Sequence, residues 1–155
     1  MIFSENDRIL LFDLGNILVS LNSVHEIWAG LKTGNDAEKT ELDQLWSHSK
    51  AVMDYESGRI ETLQDFYAAI KKEVPVTVSE DEFYMIFNQA IGDVFPETHQ
   101  LFTGLSRRFR LFLLSNTSQA HWAICRDSHH LDGYFVKTFL SYEMGCMKPD
   151  PAAFQ

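Results

Sequence analysis

The sequence has few of the features that mark secreted, membrane-bound or disulfide-stapled proteins. Its two cysteines, Cys125 and Cys146, form neither a metal-binding spacing nor a disulfide framework. No apolar run approaches the roughly 20 residues that a membrane-spanning helix needs. Residues 1–5 lack the basic segment and apolar core of a signal peptide. From these absences we expect a protein that resides in a reducing cytoplasm.

The sequence also lacks an excess of positive charge. Its formal net charge is −9, and an acidic chain is poorly suited to bind nucleic acid. Of the 22 acidic residues, 14 lie between residues 20 and 95, so the acidity is concentrated in the middle of the chain. The length of 155 residues suits one domain or part of a larger one.

Three apolar stretches, residues 8–14, 109–114 and 134–140, predict buried strands. The first contains the run ILLF, and we expect it to be covered on both faces, as in a parallel sheet. Residues 118–129 are helical by period, so the second and third strands are predicted to form a right-handed parallel crossover. Residues 96–108 predict another helix, which begins at Pro96.

The middle segment, residues 20–95, has helical periodicity and no convincing strand. Ser79 and Glu82 form a helix-start signature. Four sets of apolar residues recur at helical spacing: Val24, Ile27, Trp28 and Leu31; Leu42, Leu45 and Trp46; Leu63, Phe66, Tyr67 and Ile70; and Phe83, Ile86, Phe87 and Ala90. We therefore predict four short helices, inserted after the first strand as a lid.

Polar residues follow the predicted strands, where open α/β sheets bind ligands. Asp13 ends the first strand, and Ser115, Asn116 and Thr117 follow the second at a helix start, which favours an anion. Lys148 comes after the third strand and could neutralise a phosphate. These residues suit phosphoryl transfer, in which an aspartate attacks phosphorus and water hydrolyses the aspartyl-phosphate, usually with Mg²⁺.

The same segments resemble the haloacid dehalogenase-like (HAD) superfamily. FDLGNILV, LLSNTS and GCMKPDPAAF are similar, in that order, to its first three motifs, and YESGRIETLQDFY resembles the Glu-x-Gly-x-Ile pattern of the branch with a helical cap. The resemblance implies an α/β fold, with a Rossmannoid parallel-sheet core of three strands, incomplete here, and an inserted four-helix cap. We assign residues 1–19 and 96–155 to the core domain and residues 20–95 to the cap domain.

The resemblance also implies a role for each site residue. Asp13 is the nucleophile and a Mg²⁺ ligand, and the backbone carbonyl of Gly15 is the second metal contact. Ser115 and Asn116 hold the phosphate, while Lys148 stabilises its charge and orients Asp13. The Asp-Leu-Gly-Asn form is similar to phosphatases of the α-glucose-1-phosphatase type, which implies a small phosphorylated metabolite as substrate, with sugar phosphates among the candidates.

The chain departs from the family pattern at two points. Gly15 stands where most family phosphatases carry a second aspartate as general acid/base, and losing such help costs about 10²–10⁴-fold. A good leaving group, a water or a cap residue could compensate, and His25, Glu56 and His121 are the candidate residues. The fourth motif, an acidic pair that completes the Mg²⁺ site, is expected beyond Gln155. We therefore expect a truncated chain with weak or no hydrolysis, which self-associates through the open edge of the Asp13 strand.

Three other functions are also compatible with the sequence. A catalytically weak or inactive HAD-fold module would bind a phosphorylated ligand or a protein partner, and both departures favour it. A haloacid dehalogenase is less well supported, because dehalogenases usually carry Tyr-Gly-Thr after the nucleophile. A phosphoacceptor switch resembling a receiver domain also needs a strand-end aspartate and a later lysine, but it does not need a helical insertion.

Overall fold

The computed structural model describes residues 8–22, 27, 48–74 and 76–155. Its elements in chain order are β1 (Ile9–Phe12), β2 (Val19–Leu21), α1 (Lys50–Glu56), α2 (Leu63–Glu73), α3 (Glu80–Asn88), β3 (Ile91–Val94), α4 (Thr98–Leu105), β4 (Arg110–Ser115), α5 (Gln119–Ala123), β5 (Lys137–Leu140) and α6 (Ser141–Met144). A π-helical segment, Ile124–Ser128, continues α5, and 3₁₀ turns cover Asp132–Tyr134 and Pro151–Phe154.

A three-stranded sheet in the order β1-β4-β5 forms the α/β core. Both pairings are parallel, with Leu10 opposite Leu111 and Leu113 opposite Thr138. The central strand β4 is the most buried of the three, as its apolar sequence predicts. Since α5 connects β4 to β5, the predicted parallel crossover is confirmed, although β5 begins three residues later than expected.

Strand β1 differs from the prediction on one of its faces. Ile9 and Leu11 are 58% and 56% exposed, whereas Leu10 and Phe12 pack against the buried core. The expectation that this strand is covered on both faces is therefore wrong for the described residues, in which β4 is its only neighbour. An apolar run predicts a strand, but it does not reveal whether the strand lies at the edge of the sheet.

The expectation that residues 20–95 contain no strand is also wrong. β2 and β3 pair antiparallel, with Val19 opposite Val94 and Leu21 opposite Ile91. These strands have three and four residues, too few for an alternating pattern to stand out, and Gly92 and Asp93 have low β-propensity. A pairing between distant segments, rather than a local pattern, creates this two-stranded ribbon.

The helices α1, α2 and α3, called the inserted helices below, surround an aromatic cluster. The rings of Tyr55 and Phe66 stack with centroids 4.5 Å apart, and Phe66 meets Phe87 edge-on at 5.1 Å. Helices α2 and α3 match two of the predicted apolar sets, and the Ser79–Glu82 capping box is confirmed. The other two predicted sets lie outside the described residues, apart from Ile27, which is buried.

A second apolar cluster joins the sheet to α4 and α5 through residues such as Leu14, Phe102, Leu113 and Leu140. The inserted helices have their own cluster. The division into a core domain and a cap domain remains a proposal, and the two clusters support it. Among the described residues, no helix is long and apolar enough to span a membrane.

Candidate active site

Asp13 lies directly after β1, at the carboxyl edge of the parallel sheet. Its Oδ1 accepts a hydrogen bond from the backbone N–H of Leu14 at 2.8 Å. Its Oδ2 lies 2.8 Å from Nζ of Lys148, and 49% of the Asp13 side chain remains exposed. The carboxylate is thus fixed in orientation by two contacts and is still accessible to a ligand.

Lys148 is held in place by the loop that follows β4. The Asn116 side-chain amide binds both backbone polar groups of Lys148. Its Nδ2 donates to the Lys148 carbonyl at 2.8 Å, and its Oδ1 accepts from the Lys148 N–H at 2.7 Å. The Lys148 ammonium also donates to the Leu114 carbonyl at 3.1 Å. Asn116 therefore positions the lysine, and its side-chain carbonyl is already engaged.

The residues after β4 are tied to the inserted helices through Ser141, a fully buried residue at the start of α6. The Ser141 hydroxyl accepts from the Thr117 N–H at 2.9 Å and donates to the carbonyl of Glu56 at 2.6 Å. Ser115 is buried, and its hydroxyl lies 3.3 Å from the carbonyl of Asn116. One hydroxyl thus connects the loop after β4 with the end of α1.

The Gly15-Asn16 pair shapes the turn between β1 and β2. Asn16 adopts φ 57°, a left-handed conformation that asparagine tolerates, and its Oδ1 accepts from the Leu21 N–H at 3.1 Å. A Cβ at position 15 would lie 2.6 Å from Cδ1 of Leu21. A side chain at Gly15 would therefore require Leu21 to move.

A cavity of about 130 Å³ lies where the sheet edge meets the inserted helices. Because a protein cavity of about 150 Å³ can hold a benzene molecule, this space suits a small molecular group. Part of the wall is apolar, from residues such as Leu14 and Ile91. The residues that bring polar groups or backbone to the wall include Gly15, Glu56, Ser115, Asn116, Thr117 and His121.

His121 lies on α5 and packs against the inserted helices. Its ring stacks on Phe87 with centroids 4.1 Å apart, and its Nε2 lies 3.0 Å from the Phe87 carbonyl. Burial lowers the His121 pKa to about 4, because the charged ring would lose its hydration. The ring is therefore neutral near pH 7, and Nε2 carries the proton that it donates to Phe87.

Glu56 is the last residue of α1 and is only partly exposed. Burial raises the pKa of its carboxyl group to about 7, because the apolar surroundings disfavour the charged form. Within the described part of the chain, its carboxyl group forms no hydrogen bond or ion pair. Glu56 therefore brings a proton-binding group to the cavity wall that can exchange its proton near neutral pH.

Asp13 and Gly15 are the described residues that could hold Mg²⁺ here. Mg²⁺ prefers oxygen ligands and commonly keeps several waters beside one or two carboxylates. The half-exposed Asp13 carboxylate fits such an ion, because its two contacts leave other lone pairs free. In the described ranges, no group of three or more His, Cys, Asp or Glu side chains could enclose a metal ion.

The structure brings together the described residues that the sequence singled out; the candidate His25 lies outside the described part of the chain. Asp13, Lys148 and Asn116 form a connected chain of contacts, and Gly15 and Ser115 border the adjoining cavity with Asn116. Sequence reasoning missed Ser141 and named Glu56 only as one of three substitutes for a missing acid. Both follow from the packing of α1 against α6, for which the only local signal is the Glu-x-Gly pattern at Glu56 and Gly58.

A protein-family model and a curated relative match most of the chain. A family model described as haloacid dehalogenase-like hydrolase matches residues 8–155. Over 154 residues the chain is 25% identical to D-ribitol-5-phosphate phosphatase of Bacteroides thetaiotaomicron, covering 94% of this chain and 72% of that protein.

Solved structures of related enzymes are also similar to this one. A HAD family enzyme of Bacteroides thetaiotaomicron superposes with a TM-score of 0.78 at 27% identity, covering 95% of this chain and 74% of that one. An aspartate-to-alanine mutant of that enzyme, in complex with magnesium and inorganic phosphate, superposes with a TM-score of 0.75 at 26% identity, with the same coverage. A HAD-like family hydrolase of Porphyromonas gingivalis superposes with a TM-score of 0.77 at 25% identity, covering 95% of this chain and 72% of that one.

Proposed function

The chain belongs to the haloacid dehalogenase-like hydrolase family, and on that premise we propose that it is a Mg²⁺-dependent phosphatase of a small phosphorylated metabolite, of the sugar-phosphate or polyol-phosphate class. The observation that carries the proposal is the 2.8 Å contact between Asp13 and Lys148 at the carboxyl edge of the sheet. The relative that acts on D-ribitol-5-phosphate supports this substrate class. The small cavity beside the contact supports a small leaving group.

In this proposal Asp13 attacks the phosphorus atom and becomes an aspartyl-phosphate, which water then hydrolyses. Lys148 keeps the carboxylate oriented and neutralises charge on the phosphoryl oxygens. Asn116 positions Lys148 through its two backbone contacts, and the Ser115 hydroxyl binds a phosphoryl oxygen. Mg²⁺, when bound at Asp13 and the Gly15 carbonyl, would neutralise further charge on the transferred group.

The test is phosphate release from a panel of sugar and polyol phosphates in the presence of Mg²⁺. We expect the wild-type protein to release phosphate at a low rate, as its two departures from the family pattern imply, and the Asp13→Asn variant to release none. Asp127→Asn is the matched control, because Asp127 is an exposed aspartate paired with Arg126 away from the site. Phosphate release by Asp13→Asn at the wild-type rate would refute the nucleophile assignment.

A second candidate function is a module that binds phosphate esters with little or no turnover. The small number of metal ligands favours this function. Asp13 brings a single carboxylate, and the described residues contain no group of three or more His, Cys, Asp or Glu side chains that could hold a metal ion. Calorimetry measures the binding of a hydrolysable and a non-hydrolysable phosphate ester, and an assay of phosphate release beside it separates the two functions. Tight binding of both esters with no phosphate release would favour the binding module over the phosphatase.

A further inference from the structure

One proton transfer in the proposed chemistry has no group assigned to it. When the phosphorus–oxygen bond of a sugar or polyol phosphate breaks, the departing alkoxide needs a proton, and a positioned acid typically contributes about 10²–10⁴-fold to such a step. Gly15 has no side chain to offer. Lys148 is held between Asp13 and the Leu114 carbonyl, so its ammonium serves the nucleophile.

Among the described residues that line the cavity, Glu56 and His121 are the two with titratable side chains. His121 is a poor acid, because its pKa is lowered to about 4 and its Nε2 proton is committed to the Phe87 carbonyl at 3.0 Å. A neutral imidazole would also have to become an anion to protonate an alkoxide. His121 is therefore a structural residue that joins α5 to α3.

Glu56 is held beside the loop after β4 by its own backbone. Its carbonyl accepts from the Ser141 hydroxyl at 2.6 Å, and the same hydroxyl accepts from the Thr117 N–H at 2.9 Å. Gly58 strengthens this docking, because it lies so close to Tyr142 that a Cβ would be 2.1 Å from the Tyr142 carbonyl oxygen. The end of α1 is thus fixed relative to Ser115 and Asn116.

We propose that Glu56 is the general acid and base of this site, an inference that rests on the proposed phosphatase function. As Asp13 bonds to phosphorus, the phosphorus–oxygen bond of the ester breaks, its electron pair stays on the leaving oxygen, and Glu56 gives that oxygen its proton. The Glu56 carboxylate then takes a proton from the water that attacks the aspartyl-phosphate. The ester and water become alcohol and phosphate, and Glu56 regains its starting protonation state.

The surroundings of Glu56 keep its proton available near neutral pH. Burial raises its pKa to about 7, which suits an acid that must donate and recover a proton in one cycle. The titratable and charged groups on α1, on the residues after it, on the packed elements α2, α3, α5 and α6 and at the adjoining sheet edge are Asp13, Lys50, Asp54, Tyr55, Arg59, Glu61, Asp65, Tyr67, Lys71, Lys72, Glu73, Glu80, Asp81, Glu82, Tyr84, His121, Tyr142, Glu143 and Lys148. Burial is the cause of the shift, and none of these charges sets it.

The test compares the hydrolysis of two esters by the Glu56→Gln variant, which keeps the shape of the side chain and replaces its ionisable carboxyl group with a neutral amide. One ester is a polyol phosphate, whose alkoxide needs an acid, and the other is p-nitrophenyl phosphate, whose leaving group departs without one. We expect kcat for the polyol phosphate to fall about 10²–10⁴-fold. The first turnover of p-nitrophenyl phosphate, which releases p-nitrophenol as the aspartyl-phosphate forms, should keep the wild-type rate. We also expect kcat/KM of the wild type for the polyol phosphate to fall as the pH rises through the Glu56 pKa of about 7, and this dependence to be lost in the variant.

Glu61→Gln is the matched control, because Glu61 is an exposed glutamate in the turn after α1 and should leave both reactions unchanged. Circular dichroism of Glu56→Gln checks its fold. Equal losses on both esters, or no loss on either, would overturn the assignment of Glu56 while leaving the phosphatase proposal in place. A wild-type chain that hydrolyses neither ester would overturn the phosphatase proposal, and the role of Glu56 with it.

Discussion

At the scale of single residues, the site depends on contacts that use the backbone of one functional residue and the side chain of another. The Asn116 side chain forms hydrogen bonds with both the carbonyl and the N–H of the Lys148 backbone, and the Lys148 ammonium contacts Asp13. A displaced amide would therefore move the ammonium group, and with it the partner of the Asp13 carboxylate. Asn116 is best understood as a positioning residue whose effect on phosphate binding passes through Lys148.

The raised pKa of Glu56 leads to a prediction for the free energy of unfolding, which can be tested without any measurement of turnover. Its folded-state pKa of about 7 lies above the ordinary value of 4.5, so the folded state prefers the protonated carboxyl group. The stabilisation from that proton is complete below pH 4.5 and is lost as the pH rises through about 7. Glu56→Gln has no such loss, and its stability relative to the wild type should rise by about 3 kcal/mol across this window.

Urea unfolding of both proteins at pH values on either side of the window measures this difference. His121 titrates in the same range, but it does so in both proteins and cancels from the comparison. A difference in unfolding free energy that does not change with pH would show that the Glu56 carboxyl group is not shifted by burial.

The sequence reveals the site residues that lie at strand ends and misses those that depend on packing between elements. Asp13 and Asn116 could be placed together because the carboxyl ends of parallel strands share one edge of the sheet. The contacts from Ser141 to Thr117 and Glu56 could not be predicted. They require α1 to dock on α6, and the Glu-x-Gly pattern at the end of α1 does not reveal which element it contacts.

At the scale of elements, the contact between Gly58 and Tyr142 connects the inserted helices to α6, which directly follows the last strand of the sheet. Gly58 has φ 71°, and a Cβ there would lie 2.1 Å from the Tyr142 carbonyl oxygen. That neighbour is a backbone atom and cannot rotate away. The glycine therefore meets two requirements at once, a left-handed backbone and a close approach of two chain segments.

Two glycine-to-alanine variants separate these requirements. Gly145 has φ 75° with no atom near its missing Cβ, so Gly145→Ala should cost only the left-handed strain, about 1 kcal/mol. Gly58→Ala adds a steric clash and should cost about 3 kcal/mol in total. Thermal or urea unfolding measures both variants, and equal losses in the two would contradict the docking contact.

Periodicity is informative for long elements and uninformative for short ones. Helices α2 and α3 run over 11 and 9 residues and have clear side-chain caps, so their pattern and start signals agree. Helix α1 has seven residues, too few for an apolar set to recur over two full turns. The strands of the β2–β3 ribbon are shorter still and exist because they pair with each other.

At the scale of the whole molecule, the exposed face of β1 predicts self-association. Ile9 and Leu11 are more than half exposed on a strand that has one described neighbour, and an apolar edge invites pairing with another chain. We expect the mean mass from light scattering to rise with protein concentration. Leu11→Lys should suppress that rise, because a charge on an edge strand opposes pairing.

Met85→Lys is the control for this experiment, since Met85 is an equally exposed apolar residue on α3, away from the sheet. It should associate as the wild type does. A wild-type chain that stays monomeric at every concentration would rule out association through β1.

Formation of an aspartyl-phosphate at Asp13 is the most direct test of the proposed chemistry. Acid quenching during turnover of a polyol phosphate with Mg²⁺, followed by borohydride reduction and peptide mass spectrometry, locates any acyl phosphate by converting its aspartate to homoserine. We predict homoserine at position 13 in the wild type and none in Asp13→Asn. Turnover that leaves residue 13 unmodified, or modification at another carboxylate, would contradict the assignment of Asp13 as the nucleophile.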